Sequence, residues 1–238
     1  MNWAYTGRDF PHNSRPTRRR AFVSGSPRAD LLDDRASPPY FTRMESPLAP
    51  GLLIAAPPLA DANFDRSVVL LAAHSEDGAF GWIVNGREVM TLAELLDHVD
   101  LPPPAPEFAA RGPQAGVRLG GPVGTEQVWL LYRTDEKDQL DDIPDQFDVG
   151  CGVTASPSQR VLQALAEGRA PKSLMGVLGY AGWAPNQLED EIRRGAWLPI
   201  GAEVSLLFDV AREDIWQRAY EQVGATPMSF TTRTVGSA

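Results

Sequence analysis

Imidazole and thiol groups, frequent metal ligands, bases and nucleophiles, are few here: three histidines and one cysteine, beside scattered serines. The histidines form no metal-ligand spacing, since His12 lies near the N-terminus, His74 closes an apolar run and His98 follows Asp97. Cys151 has no basic neighbour in sequence to lower its pKa, so it reads as a small apolar residue and not as a thiolate. Ser67 follows Arg66 without a base nearby, and no G-x-S-x-G, P-loop or H-E-x-x-H pattern occurs. Gly150-Cys151-Gly152-Val153-Thr154-Ala155 matches the dinucleotide fingerprint G-x-G-x-x-A in letters only. The helix-opening Ser156-Pro157 comes after the motif is over, whereas a true fingerprint runs straight into its helix. No catalytic residue, cofactor or metal ligand is assigned.

The candidate binding face comes from two glycine-dense stretches. In the first, Leu178 to Ile192, a buried strand is expected to reach a tight glycine turn (Gly179, Tyr180, Gly182, Trp183). A helix then opens at Pro185 and carries Gln187 and Glu189. Amides near Pro185 to Gln187 would face the turn and form a polar pocket floor. The second is Gly120-Gly121-Pro122, expected to meet the first around Trp183, with Arg66 and Asn85 as further polar candidates. A structural alternative stays open, in which the glycines merely let large aromatics lie against backbone. Glu189 with Arg193, and Asp190 with Arg194, are spaced as surface helix pairs.

The elements that must position these residues can be read from periodicity. Leu52 to Ala56 is a short strand, and Ser67 to Ala73, apolar on both faces, is a central one. A turn at Ser75-Glu76-Asp77-Gly78 returns the chain as Ala79 to Asn85. Thr91 to Glu94 is a capping box ahead of a helix bearing Leu92, Leu95, Leu96 and Val99. Val117 to Leu119 and Gln127 to Arg133 read as a hairpin-like pair, Asp135 to Asp148 as a surface loop, and Val149 to Ala155 as a strand. Ser156 to Gln159 caps a helix that ends at Gly168. Beyond the central stretch come a strand at Val204 to Phe208 and a helix with Ile215, Trp216, Ala219 and Val223. Strand pairs mixed with single helices predict an α+β fold and not a doubly wound sheet. Trp82, Trp129, Trp183, Trp197 and Trp216 are expected in the core, with Trp183 lining a pocket.

Charge divides the chain. Residues 1–43 hold eight Arg and four Asp, a net of +4; subtracting this from −9 leaves residues 44–238 at −13. The first segment has no helical or strand period and predicts a disordered tail. The orderly sequence opening at Met44 suggests a misassigned start. Thr17-Arg18-Arg19-Arg20 mimics an export motif, but no apolar core follows. A domain at −13 repels phosphate backbones, which argues against direct nucleic-acid binding. The single cysteine and the absence of a long apolar run fit a cytoplasmic protein without a membrane span.

Taken together the residues resemble the YqgE/AlgH family of bacterial proteins. The matching blocks are Leu53-Ile54-Ala55; Phe64 with Arg66-Ser67-Val68-Val69; His74 with Gly78-Ala79-Phe80-Gly81 and Ile83-Val84-Asn85; Leu119-Gly120-Gly121-Pro122-Val123; Leu178 to Trp183; and Gln187-Leu188-Glu189. The resemblance implies one α+β domain, residues 44–238, with a curved or barrel-like mixed or antiparallel sheet flanked by helices. It carries the label of transcriptional regulator but no agreed mechanism. Three departures stand out: Gly86-Arg87 after Asn85, Tyr132 where histidine is common, and Asn186 where glycine is usual. Asn tolerates a left-handed backbone, so that turn is expected to survive. These readings favour a regulatory or interaction protein that binds a protein partner or small effector. The alternative is an enzyme using Arg66, Asn85 or Glu189.

Overall fold

The structure, a computed structural model, describes residues 48–57, 59, 61–103, 116–169 and 171–226. The Arg-rich N-terminal segment and the loop after Pro103 lie outside the described residues. Among the described residues ten strands and five α-helices form an α+β fold: β1 (Gly51–Ala55), β2 (Val68–Ser75), β3 (Gly78–Ile83), β4 (Glu88–Thr91), α1 (Leu92–His98), β5 (Gly116–Leu119), β6 (Val123–Arg133), β7 (Phe147–Gly150), β8 (Val153–Ser156), α2 (Gln159–Ala166), β9 (Leu174–Trp183), α3 (Gln187–Arg193), β10 (Trp197–Gly201), α4 (Val204–Phe208) and α5 (Ile215–Gln222). Short 3-10 turns cover Thr134–Leu140 and Arg212–Asp214.

The strands join in the order β10-β1-β2-β3-β9-β6-β8-β7, with β4 paired to β5 and β5 to β9. Every pairing is antiparallel except β5 with β9. Strands from both ends of this order feed one buried cluster: Leu52 and Ile54 of β1, Trp82 of β3, Trp129 of β6 and Val149 of β7. Sharing a core across so many strands requires the sheet to curl into a half-barrel. Its far edge returns close to its start, for a Cβ on Gly150 would come within 2.9 Å of the Pro50 ring.

Side-chain alternation sorts the core. Leu52 and Ile54 point into the shared cluster while Leu53 and Ala55 point to the other face, so β1 is buried on both sides. Leu206, Leu207, Ile215, Ala219 and Tyr220, from α4 and α5, complete the shared cluster. Helices α1 and α2 cover Val128, Leu130 and Tyr132 on the other face of β6. Helix α3 covers Trp183 and Trp197 with Leu188 and Ile192.

Several elements differ from their sequence reading. Val204–Phe208 is a helix because the adjacent Leu206 and Leu207 are both buried in one cluster, which a strand would send to opposite faces. Val149 to Ala155 is not one strand but the hairpin β7–β8, turning at Gly150-Cys151-Gly152 with positive φ at all three. Val117–Leu119 and Gln127–Arg133 are not partners, since β9 lies between them. The stretch Asp135 to Asp148 is not a plain surface loop: it holds a 3-10 turn, buries Leu140 and Ile143, and enters β7. Strand β4 carries no clear period and was not expected. The capping box at Thr91 and Glu94 is present as read.

Candidate functional site

The glycines at the two expected stretches answer to one topological event. Strands β5 and β6 lie on opposite edges of β9, so the chain between them must cross the β9 backbone. Gly120 makes the approach: its N–H donates to the Leu178 carbonyl at 2.7 Å and its own carbonyl accepts from Ile83 N–H at 2.8 Å. A Cβ on Gly121 would collide with the Tyr180 carbonyl. Gly179 sits at φ +73°, and a Cβ there would come within 2.8 Å of the carbonyl oxygens of Gly121 and Val123. The crossing therefore demands glycine at all three positions. The two stretches do meet, but at Tyr180 and not around Trp183. Nor is there a tight turn within Gly179–Gly182, because β9 runs unbroken to Trp183.

Arg66 and Asn85 also meet, in a structural role. The Asn85 carboxamide accepts from Val68 N–H at 2.7 Å and donates to the Arg66 carbonyl at 2.8 Å. This staples the entry to β2 onto the end of β3 and holds Arg66 at φ +51°. The exposed Arg66 guanidinium lies 5.8 Å from the centre of the Trp216 ring. The Trp216 indole in turn donates to the Ala55 carbonyl at 2.9 Å, as the Tyr220 hydroxyl does at 3.2 Å.

A polar network ties α3 to the sheet. Trp183 and Trp197 donate their indole N–H groups to Glu191 Oε2 at 2.9 and 2.8 Å. Gln187 donates to Glu191 Oε1 at 2.8 Å and accepts from Ala184 N–H at 3.0 Å, while its own backbone N–H donates to the Ala184 carbonyl. The turn thus closes on itself, and the amide of Gln187 is used internally instead of flooring a pocket. Trp183 is buried, stacked near Phe64 and edge-on to Trp197. Asn186 adopts φ +62°, so the left-handed turn survives the loss of glycine. Glu191 was missed as a key residue; its signal was its place four residues after Gln187, on the helix face beneath two tryptophans.

Glu189 does not pair with Arg193. His74 Nε2 donates to Glu189 Oε1 at 2.8 Å across the β2–α3 seam, and Arg193 bonds Asp190 instead. Glu189 remains over a third exposed (37%), which limits the strength of the pair. Tyr180 is half-buried with its ring 4.8 Å from that of Phe80, and Gly182 is exposed.

Elsewhere the reactive side chains are muted. Burial pushes the Cys151 thiol up to about 11, with the nearby Asp148 adding to the effect. Burial likewise raises Tyr132, whose hydroxyl donates to Gln146 Oε1 at 2.5 Å. Burial lowers the Arg118 guanidinium to about 10; it donates to the Val84 carbonyl at 2.5 Å. Among the described residues no group of three or more His, Cys, Asp or Glu could hold a metal ion. Two clefts, of about 180 and 200 Å³, are lined chiefly by charged side chains around Gln217 and Arg160, away from the β9–α3 face.

The fold and this junction define a class: a single-sheet α+β half-barrel whose central strand is crossed by a glycine connection and braced by a short carboxylate-bearing helix. The chain belongs to the AlgH-like family, whose family model matches residues 52–228. A UPF0301 protein from Anaeromyxobacter dehalogenans is 39% identical over 190 residues, covering 77% of this chain and 91% of the relative. Another, from Anaeromyxobacter sp. strain Fw109-5, is 42% identical over 188 residues, covering 78% and 92%. The solution structure of AlgH from Pseudomonas aeruginosa superposes with a TM-score of 0.62 at 33% identity, covering 82% of this chain and all of that one. A Corynebacterium diphtheriae protein with TM-score 0.58 and 21% identity shares the fold.

Proposed function

We propose that this protein is a cytoplasmic interaction protein that acts by contact with a protein partner through the glycine junction on β9, and that any regulatory role runs through that partner. The observation carrying this reading is how the candidate polar groups are spent. Asn85 staples two strands, Gln187 closes a turn, and Glu191 receives two indoles and a carboxamide. Groups so committed brace a surface; a general base must instead present itself to a reacting proton. The −13 charge of residues 44–238 supports a route through protein contact over one through duplex DNA.

The enzyme alternative has one observation behind it, the His74–Glu189 pair, in which a carboxylate holds an imidazole as it would a base. A metabolite panel followed by both thermal shift and mass-spectrometric turnover separates the two. Any effector bound at a hundred times its Kd would stabilise the protein by about 2.7 kcal/mol. The expected result is no consumption of any compound. Turnover abolished by His74→Ala or Glu189→Ala would overturn the interaction reading.

A further inference from the structure

The backbone nitrogen that follows an asparagine can attack that residue's side chain, and glycine, with no Cβ, hinders the attack least. Asn85-Gly86 is the one Asn-Gly pair in the chain, and the fold imposes both residues. Asn85 is needed because its carboxamide accepts from Val68 N–H at 2.7 Å and donates to the Arg66 carbonyl at 2.8 Å. Gly86 is needed because a Cβ there would come within 2.0 Å of the Leu119 carbonyl oxygen. Two unrelated packing needs thus place a chemically labile pair at the entry to β2.

In the folded chain the attack is held back. To reach Cγ of Asn85, the Gly86 nitrogen must swing about the Asn85 backbone, and the segment is pinned on both sides of it. Ile83 N–H donates to the Gly120 carbonyl at 2.8 Å and Val84 N–H to the Val68 carbonyl at 2.9 Å. The Val84 carbonyl accepts from the buried Arg118 guanidinium at 2.5 Å, and the Arg87 carbonyl accepts from Leu119 N–H at 2.9 Å. The Asn85 carboxamide is itself engaged at both ends. The pair can therefore react only when this segment opens, at a rate that follows the population of the open form.

We propose that Asn85 is a deamidation site guarded by the fold, and that its conversion opens the β2 entry at Arg66. The Gly86 nitrogen forms a bond to Cγ and gives up its proton, the Cγ–Nδ2 bond breaks, and ammonia leaves behind a cyclic succinimide. Water then adds to either ring carbonyl and opens the ring to aspartate or isoaspartate; nothing is oxidised or reduced. Both products lack the Nδ2 donor, and in aspartate a carboxylate oxygen faces the Arg66 carbonyl, acceptor against acceptor. Isoaspartate also lengthens the main chain where Gly86 passes Leu119. Arg66, released at its carbonyl, loses the bond that holds it at φ +51° and leaves the Trp216 ring. The reaction is one-way, so it marks chains that have once opened here.

The test incubates the full chain in mildly alkaline buffer, with and without denaturing urea, and follows the Asn85 peptide by mass spectrometry. Conversion in urea should outpace conversion in native buffer by about tenfold or more. Asn85→Asp supplies one product directly, and limited trypsin should cleave it after Arg66 about tenfold faster than it cleaves the parent there. Equal conversion in the two buffers, or none in urea, would overturn the guarded site. Parental resistance after Arg66 in Asn85→Asp, or a variant unfolded throughout, would overturn the local opening. The comparison of rates needs only the parent chain, so it decides the site whether or not the variant folds.

Discussion

Replacing Gln187 by alanine tests whether the α3 junction is a brace. The carboxamide accepts from Ala184 N–H at 3.0 Å and donates to Glu191 Oε1 at 2.8 Å. Losing a neutral hydrogen bond typically costs about 1 kcal/mol, and losing one to a charged group about 1.5–3 kcal/mol. Ala184 and Glu191 are both only partly buried, so water can replace some of what is lost. The expected cost is therefore about 2 kcal/mol, just below the low end of the sum. With a urea slope of roughly 2 kcal/mol per molar, the unfolding midpoint should fall by about 1 M at unchanged slope. Glu189→Gln is the internal contrast. The glutamine oxygen can still accept from His74 Nε2, so the cost should stay within about 0.5 kcal/mol. A Gln187→Ala midpoint within 0.2 M of the parent (roughly 0.4 kcal/mol at that slope) would refute the bracing role and leave Gln187 free for a ligand.

Three further outcomes follow from the same geometry. Asn85→Ala should cost about 2–4 kcal/mol, because it strips the fully buried Val68 of its amide acceptor as well as releasing the Arg66 carbonyl; a chemical melt measures it. Alkaline stability should fall as pH rises from about 9 to about 11, since the folded state holds the Cys151 proton there after the unfolded chain has lost it. That contribution, about 1–2 kcal/mol after allowing for partial exposure, should vanish from the pH profile of Cys151→Ala melts. Titration with mixed-sequence duplex DNA at physiological salt should show no submicromolar binding, and a tight complex with a steep salt slope would reveal a basic surface.

Local chemistry was legible in the sequence where a few neighbouring residues decide it. The Thr91–Glu94 capping box, the left-handed Asn186 and the two-sided burial of β2 all follow from residue type and spacing. So did the buried tryptophans, apart from Trp216, which is half-buried with its indole on the Ala55 carbonyl. What could not be read depends on distant strands. Gly120, Gly121 and Gly179 looked like turn glycines because nothing local reveals that β5 and β6 take opposite edges of β9. Glu189 looked like a partner for Arg193 because His74 is remote in sequence and comes within reach only once α3 lies over the sheet. Val204–Phe208 has strand-like residues, and only the shared burial of Leu206 and Leu207 makes it a helix.

If this protein works by contact through its β9 face, in-cell photo-crosslinking should capture that contact. Among the described residues the two most exposed large apolar side chains make a matched pair of reporters: Val123 beside Tyr180, and Val223 at the end of α5. A photoreactive residue at position 123 should give one dominant protein adduct, and the same residue at position 223 should not. Equal adducts at both positions, or none at 123, would contradict the claim.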